Sequence, residues 1–168
     1  MYRIHCKYIA QLLTQREPAS LIAIDPYAES VTLAYRRLHP DCGAHLVTDA
    51  AGLTNFQTHE RYDFGYIANT LEYLDKTHAS SLVASLRDVL TREFCVIAPI
   101  KSLSKEHRSR WEPADFIALG LSLVNRHSYN DDQIVECYSF NIAKYKHTPD
   151  WLNPKHWANP LRWDKERW

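Results

Sequence analysis

Four short apolar runs, at 21–24, 44–47, 64–68 and 94–100, carry almost no polar interruption. A strand with one face in water alternates polar and apolar side chains. A run without alternation suits a strand covered on both faces, as in a parallel sheet. Three of the runs lead into a polar residue at the carboxyl end: Asp25, Asp49 and Asn69. Between them lie segments of helical spacing. Residues 1–15 place Ile4, Tyr8 and Leu12, with Ile9 and Leu13, three and four apart; 29–38 repeat this with Val31, Ala34, Tyr35 and Leu38. Residues 78–91 do so with Leu82, Val83, Leu86, Val89 and Leu90 on one stripe. Alternating strand and helix with short connections predicts right-handed βαβ units.

The second half changes character. Pro113 suits the first turn of a helix over 112–125, carrying Phe116, Ile117, Leu119 and Leu123. Residues 123–129 and 134–146 then flank Asn130-Asp131-Asp132, a turn-rich tripeptide, and Cys137 to Ile142 alternate as a half-exposed strand does. The fold class expected over 1–146 is therefore α/β: a Rossmann-like, mostly parallel sheet sandwiched by helices and closed by a C-terminal antiparallel hairpin. The remainder, 147–168, holds three prolines and Trp151, Trp157, Trp163 and Trp168, spaced to match no single helix or strand face. It reads either as a strap packed on the domain, burying each indole separately, or as a tail that docks on a second subunit to form a homodimer.

Charge removes several function classes. Twenty basic residues balance twenty acidic ones, so the basic surface that sequence-independent nucleic-acid binding needs is missing and no nucleic-acid partner is indicated. No run approaches the length of a membrane-spanning helix, and the first residues lack the apolar core of a secretory signal, so a cytoplasmic protein without a membrane partner is expected. Cys6, Cys42, Cys95 and Cys137 match no ligand spacing and are expected as reduced, mostly buried thiols. No His-x-x-x-His pair supports a metal site, and no Gly-x-Ser-x-Gly elbow supports a hydrolase.

The segment 62–75, Tyr-Asp-Phe-Gly-Tyr-Ile-Ala-Asn-Thr-Leu-Glu-Tyr-Leu-Asp, resembles the fourth-strand segment of class I S-adenosylmethionine-dependent methyltransferases, where an aromatic-Asp-apolar start leads to a "LEHL"-type turn. The helix to Leu90 and the strand ending Ala98-Pro99 are similar to that family's next unit, and the later helix and hairpin resemble its strands six and seven. The resemblance covers about 21–146 and admits two registers. Either 21–24 and 44–47 are the family's second and third strands, or they are its first and second with the outer third strand missing. Pairing energetics favour the latter: losing a central strand would orphan backbone groups on both sides, whereas an edge strand was paired on one side only. One departure is plain. The family's first loop is glycine-rich so that backbone can approach the cofactor; here Asp25 is followed by Pro26-Tyr27-Ala28-Glu29-Ser30, and the four glycines, Gly43, Gly52, Gly65 and Gly120, lie elsewhere.

The resemblance implies S-adenosylmethionine as cofactor and a cleft at the strand ends. Asp25 would lie near the cofactor's amino-acid end, or else cap the following helix. Tyr27 would occupy space that methionine or ribose fills in relatives. Asp49 would meet the ribose hydroxyls, or cap a helix near 50–56. Asn69 and Glu72 would sit above the fourth strand, facing cofactor or substrate; Asn69 lacks the Pro-Pro-aromatic that follows it in amino-methylating enzymes, and Glu72 is either a general base or an ordinary exposed carboxylate. No catalytic residue is singled out. Two functions follow: a methyltransferase acting on an unknown small molecule or protein, or a non-catalytic binding or regulatory module that keeps the fold. A receiver-like domain ranks last, because Asn69 stands where a phosphoacceptor carboxylate is needed and Lys101 follows the wrong strand.

Overall fold

The computed structural model describes residues 2–48, 61–100, 105–130, 133–145, 162 and 165. Helix α1 (Tyr2–Arg16) precedes strand β1 (Ser20–Ile24), helix α2 (Ala28–Leu38) and strand β2 (Gly43–Val47). After the undescribed stretch come strand β3 (Tyr62–Ala68), a single 3₁₀ turn (Leu71–Tyr73), helix α3 (Lys76–Ser85), a π turn (Leu86–Leu90) and strand β4 (Thr91–Ile100). Helix α4 (Pro113–Ala118), strands β5 (Ser122–Asn130) and β6 (Gln133–Asn141) and the short helix α5 (Ile142–Tyr145) follow.

The strands form one sheet in the order β2-β1-β3-β4-β6-β5. β2, β1, β3 and β4 run parallel, and β6 and β5 close the sheet antiparallel. β1 lies in the sheet interior and β2 at its edge among the described strands; β1 pairs directly with β3, the neighbour expected of it if 21–24 is the first strand. The burial follows: β1 is buried almost throughout, while β2 is largely half-buried.

Because side chains alternate across a strand, the unbroken runs feed two cores. Leu21, Ala23, Phe64 and Tyr66 face α1 and α2, packing with Ile9, Leu13, Val31 and Tyr35. Ile22, Ile24, Ile67, Phe94 and Val96 face the other side, under Leu82, Val83 and Leu86 of α3 and its π turn and Phe116 of α4. Gly65 belongs to this second face, and there is no room for a side chain on it. A Cβ would meet Thr91 Cγ2 at 2.8 Å and Ile22 Cγ2 at 3.1 Å. Gly65→Ala is expected to destabilise the protein by about 1–3 kcal/mol through overpacking, read as a lower urea midpoint with an unchanged slope.

Several sequence expectations need correction. The helix expected over 78–91 starts at Lys76 and, as a regular helix, ends at Ser85; Thr91 already belongs to β4. Its spacing continues through the π turn, so Leu86 and Leu90 are buried while Val89 is exposed. The helix expected over 112–125 ends at Ala118, because Gly120 takes a left-handed φ of 84° and closes a Schellman motif. Leu121 N–H donates to Phe116 O and Gly120 N–H to Ile117 O, each at 2.9 Å. The hairpin's second strand stops at Asn141 rather than running to 146. On α2, Leu38 and Ala34 are exposed and Thr32 takes a buried place instead. Trp151, Trp157, Trp163 and Trp168, Asp131, Asp132 and the helix expected near 50–56 lie outside the described residues. Among the described residues none of the four cysteines is in a disulfide, with Cys42, Cys95 and Cys137 buried, and no helix is long and apolar enough to cross a membrane.

Candidate functional site

The chain leaves β1 toward β2 on one side and later fills β3 and β4 on the other. The gap above β1 and β3 is therefore the topological switch point, where open α/β sheets leave a crevice at the carboxyl ends. Asp25 follows β1 and Asn69 follows β3, and they meet across this gap: Asn69 Nδ2 donates to Asp25 Oδ1 at 3.3 Å. Asn69 has φ 49°, a left-handed conformation that asparagine tolerates better than most residues. Asp25 Oδ1 also accepts the Tyr27 N–H at 3.0 Å, and Asp25 O accepts Ala28 N–H at 2.9 Å. This Asx-type turn lets Asp25-Pro26-Tyr27-Ala28 enter α2 without a glycine. Tyr27, not Asp25, occupies the N-cap position, and it makes no side-chain cap bond.

Asp25 is 1% exposed, and its second oxygen, Oδ2, has no hydrogen-bond partner. Glu72, on the 3₁₀ turn just beyond β3, is 5% exposed and its Oε2 is likewise buried and unpartnered. The sequence offered an ordinary exposed carboxylate as one reading of Glu72; the structure buries it. The cause is a deck of chain folded over the turn. Arg108 and Ser109 N–H both donate to Glu72 O, at 2.8 and 3.1 Å, and Ser109 Oγ donates to Leu71 O at 2.8 Å. Trp111, 1% exposed, donates Nε1–H to Ser109 Oγ at 3.0 Å and stacks on Phe116 at 4.9 Å. Lys76 Nζ binds Arg110 O at 2.7 Å and Asp115 Oδ2 at 2.6 Å, and sits 3.9 Å over the Trp111 ring. Asp115 in turn completes the capping box of α4 with Glu112.

Burial dominates the electrostatics. It raises the Asp25 carboxyl above its ordinary value, against hydrogen bonds from Tyr27 N–H and Asn69 that pull it down. Burial pushes the Glu72 carboxyl up to about 7, and the nearby Asp25 charge adds to this while backbone N–H groups of Glu72 and Thr70 oppose it. Tyr66 lies in β3, and burial raises its phenol too, with the Asp25 charge adding to this. Two exposed rings border the turn: Tyr27 at 51% and Tyr73 at 44%, with His107 edge-on to Tyr73 at 5.4 Å. A separate cavity of about 420 Å³, lined by Ile117, Ser122, Ser139 and Asn141 among others, opens at the opposite end of β5 and β6, away from these carboxyls.

The family model described as "Family of unknown function (DUF6231)" matches residues 5–168. The chain belongs to this family. No curated protein matches it. Solved structures do. The N-methyltransferase NodS from Bradyrhizobium japonicum WM9, in complex with S-adenosyl-L-homocysteine, aligns with TM-score 0.60 at 15% identity, over 82% of this chain and 85% of that one. Magnesium protoporphyrin IX methyltransferase from Synechocystis PCC 6803, with the same compound bound, aligns with TM-score 0.51 at 12% identity, over 81% of each chain. The small RNA methyltransferase HEN1 aligns with TM-score 0.58 at 11% identity over 82% of this chain, which spans only 25% of the HEN1 chain. At such identities the likeness is one of fold: this DUF6231 protein has a methyltransferase-like Rossmann fold.

Of the residues the sequence marked, the structure brings Asp25, Asn69 and Glu72 together at the switch point and sets Tyr27 at its rim. Asp49 lies outside the described residues. Sequence reasoning missed the deck of Arg108, Ser109 and Trp111, and it missed Glu136. That glutamate is 1% exposed on β6 and is held by Arg126 Nε at 2.6 Å and by the Tyr138 hydroxyl. Its place beside Tyr138 in an alternating strand was the one available signal, and alternation alone does not say which face is buried.

Proposed function

We propose that this DUF6231 protein binds S-adenosylmethionine at the switch-point cleft and transfers its methyl group to an acceptor substrate. The observation that carries the reading is Asp25 Oδ2: a buried carboxylate oxygen with no donor, at the end of the central strand. A buried acceptor left unpaired costs about 1–3 kcal/mol, and the cofactor's α-ammonium is a donor of the right charge. Asn69 fixes the Asp25 carboxylate so that Oδ2 stays turned away from Oδ1's partners. Asp49, just past the end of β2, is the residue proposed for the ribose hydroxyls. The bound cofactor would supply an electrophilic sulfonium methyl. The chain's own part is to orient it, since methyl transfer gains mainly from in-line positioning.

A second reading rests on the loop. Pro26 and Tyr27 present side chains where relatives offer bare backbone, and that favours a non-catalytic binding module. Calorimetric titration with S-adenosylmethionine and S-adenosylhomocysteine separates the two. The first reading expects micromolar binding that weakens about 10–100-fold in Asp25→Asn, the loss of one charge-assisted hydrogen bond, and weakens also in Asp49→Ala. No heat at millimolar ligand, from protein with a native circular-dichroism spectrum, would leave the non-catalytic module.

A further inference from the structure

Glu72 Oε2 is a second orphaned acceptor, distinct from the one assigned to the cofactor. Buried charges in proteins are paired, and among the described residues no cation pairs with the Glu72 carboxylate. The Asp25 charge acts on it from the end of β1, and Tyr73 is its chain neighbour; around Tyr73 stand Tyr27 at the head of α2 and Glu106 and His107 of the deck. The nearest backbone donors of the deck, Arg108 and Ser109 N–H, are spent on the Glu72 carbonyl. The rim beside this carboxyl is aromatic and open to solvent through Tyr27 and Tyr73.

Resting on the methyl-transfer reading, we infer that the acceptor substrate is an amine, carried in as an ammonium between the Tyr27 and Tyr73 rings and received by the Glu72 carboxylate. Aromatic faces attract cations, and an ammonium has the donors that Oε2 lacks. Glu72 takes one proton from R–NH3⁺ and frees the nitrogen lone pair. A new N–CH3 bond then forms as the S–CH3 bond breaks, and the bonding pair stays on sulfur, leaving a neutral thioether. The product leaves as R–NH2⁺–CH3, and the proton on Glu72 passes to water. A general base with a carboxyl near 7 is matched to this task at neutral pH. This mode of amine recognition depends on a carboxylate, so it does not need the Pro-Pro-aromatic that Asn69 lacks.

The test uses phenethylamine as probe and phenethyl alcohol as its uncharged counterpart. Each is titrated into the full chain with and without saturating S-adenosylhomocysteine, at about pH 6 and about pH 8. With Glu72 titrating near 7 and the amine charged throughout, amine affinity should rise about tenfold over this interval, vanish in Glu72→Gln, and exceed that of the alcohol. Equal binding of the alcohol, binding indifferent to pH, or full binding to a folded Glu72→Gln protein would each overturn the amine assignment. The two arms separate the failures: S-adenosylhomocysteine binding without amine binding removes this inference alone, and amine binding without S-adenosylhomocysteine binding removes the methyl-transfer reading while the cation site stands.

Discussion

Glu72→Gln should make the protein more stable above neutral pH, by an amount that shrinks in acid and vanishes below about pH 4. In the folded state burial raises this carboxyl from 4.5 to about 7, whereas the unfolded chain titrates at the ordinary value. Between those two pH values the folded state holds one proton more than the unfolded state, so stability falls as pH rises. The loss begins near 4.5 and is complete once the pH has passed 7. A shift of that size corresponds to about 3 kcal/mol. Glutamine has the same shape and no charge to desolvate, so the variant escapes the slope. Asp25, also raised by burial, adds its own slope in both proteins, and its repulsion of the Glu72 charge is part of the measured difference. Urea denaturation of both proteins at about pH 5 and about pH 8 measures it. A variant advantage of just under about 1 kcal/mol at the lower pH, growing to about 3 kcal/mol at the higher one, is expected; equal midpoints at both would mean that Glu72 is solvated. A carboxyl that weakens its own fold at working pH fits the pattern of functional sites rather than of cores.

The parallel half of the sheet was legible in the sequence because burial on both faces leaves a mark that local chemistry cannot imitate: runs such as 21–24 and 64–68 have no polar alternation. The meeting of Asp25 and Asn69 was legible for the same reason, since strand ends in a parallel sheet converge on one edge. Boundaries were less so. The stripe of Leu82, Val83, Leu86 and Leu90 runs on through the π turn, and nothing in its spacing marks Ser85 as the end of regular helix. The early end of α4 did have a signal in Gly120, whose left-handed φ a Schellman cap requires, but the apolar spacing beyond it suggested continuation. Glu72 is the instructive case. Its residue type and turn position are visible in the chain, but its burial depends on Arg108, Ser109 and Trp111, more than thirty residues on, and no local pattern announces that contact.

Those deck residues can be tested through their anchor. Trp111→Ala should cost about 3–5 kcal/mol, the range for removing a large buried aromatic. Its ring stacks on Phe116 at 4.9 Å, and Phe116 stacks on Tyr138 at 4.3 Å, so the deck is tied by three successive rings to strand β6. Its Nε1–H holds Ser109 Oγ, which in turn donates to Leu71 O beside Glu72. Alanine removes both the ring contacts and this bond. Trp111→Phe keeps most of the packing and loses the N–H, so a cost nearer 1–2 kcal/mol is expected. Urea titrations give both numbers. A Trp111→Ala cost below about 1 kcal/mol would mean that the deck is not packed as described. The pair also separates stability from site geometry. If the Ser109 bond positions the Glu72 turn, Trp111→Phe, although mostly folded, should return the Glu72 carboxyl toward its ordinary value as water reaches it. The stability difference from Glu72→Gln, measured in that background, should then shrink. Two variants that add without interaction would place the indole N–H outside the positioning of Glu72; a shortfall from additivity would measure the coupling directly.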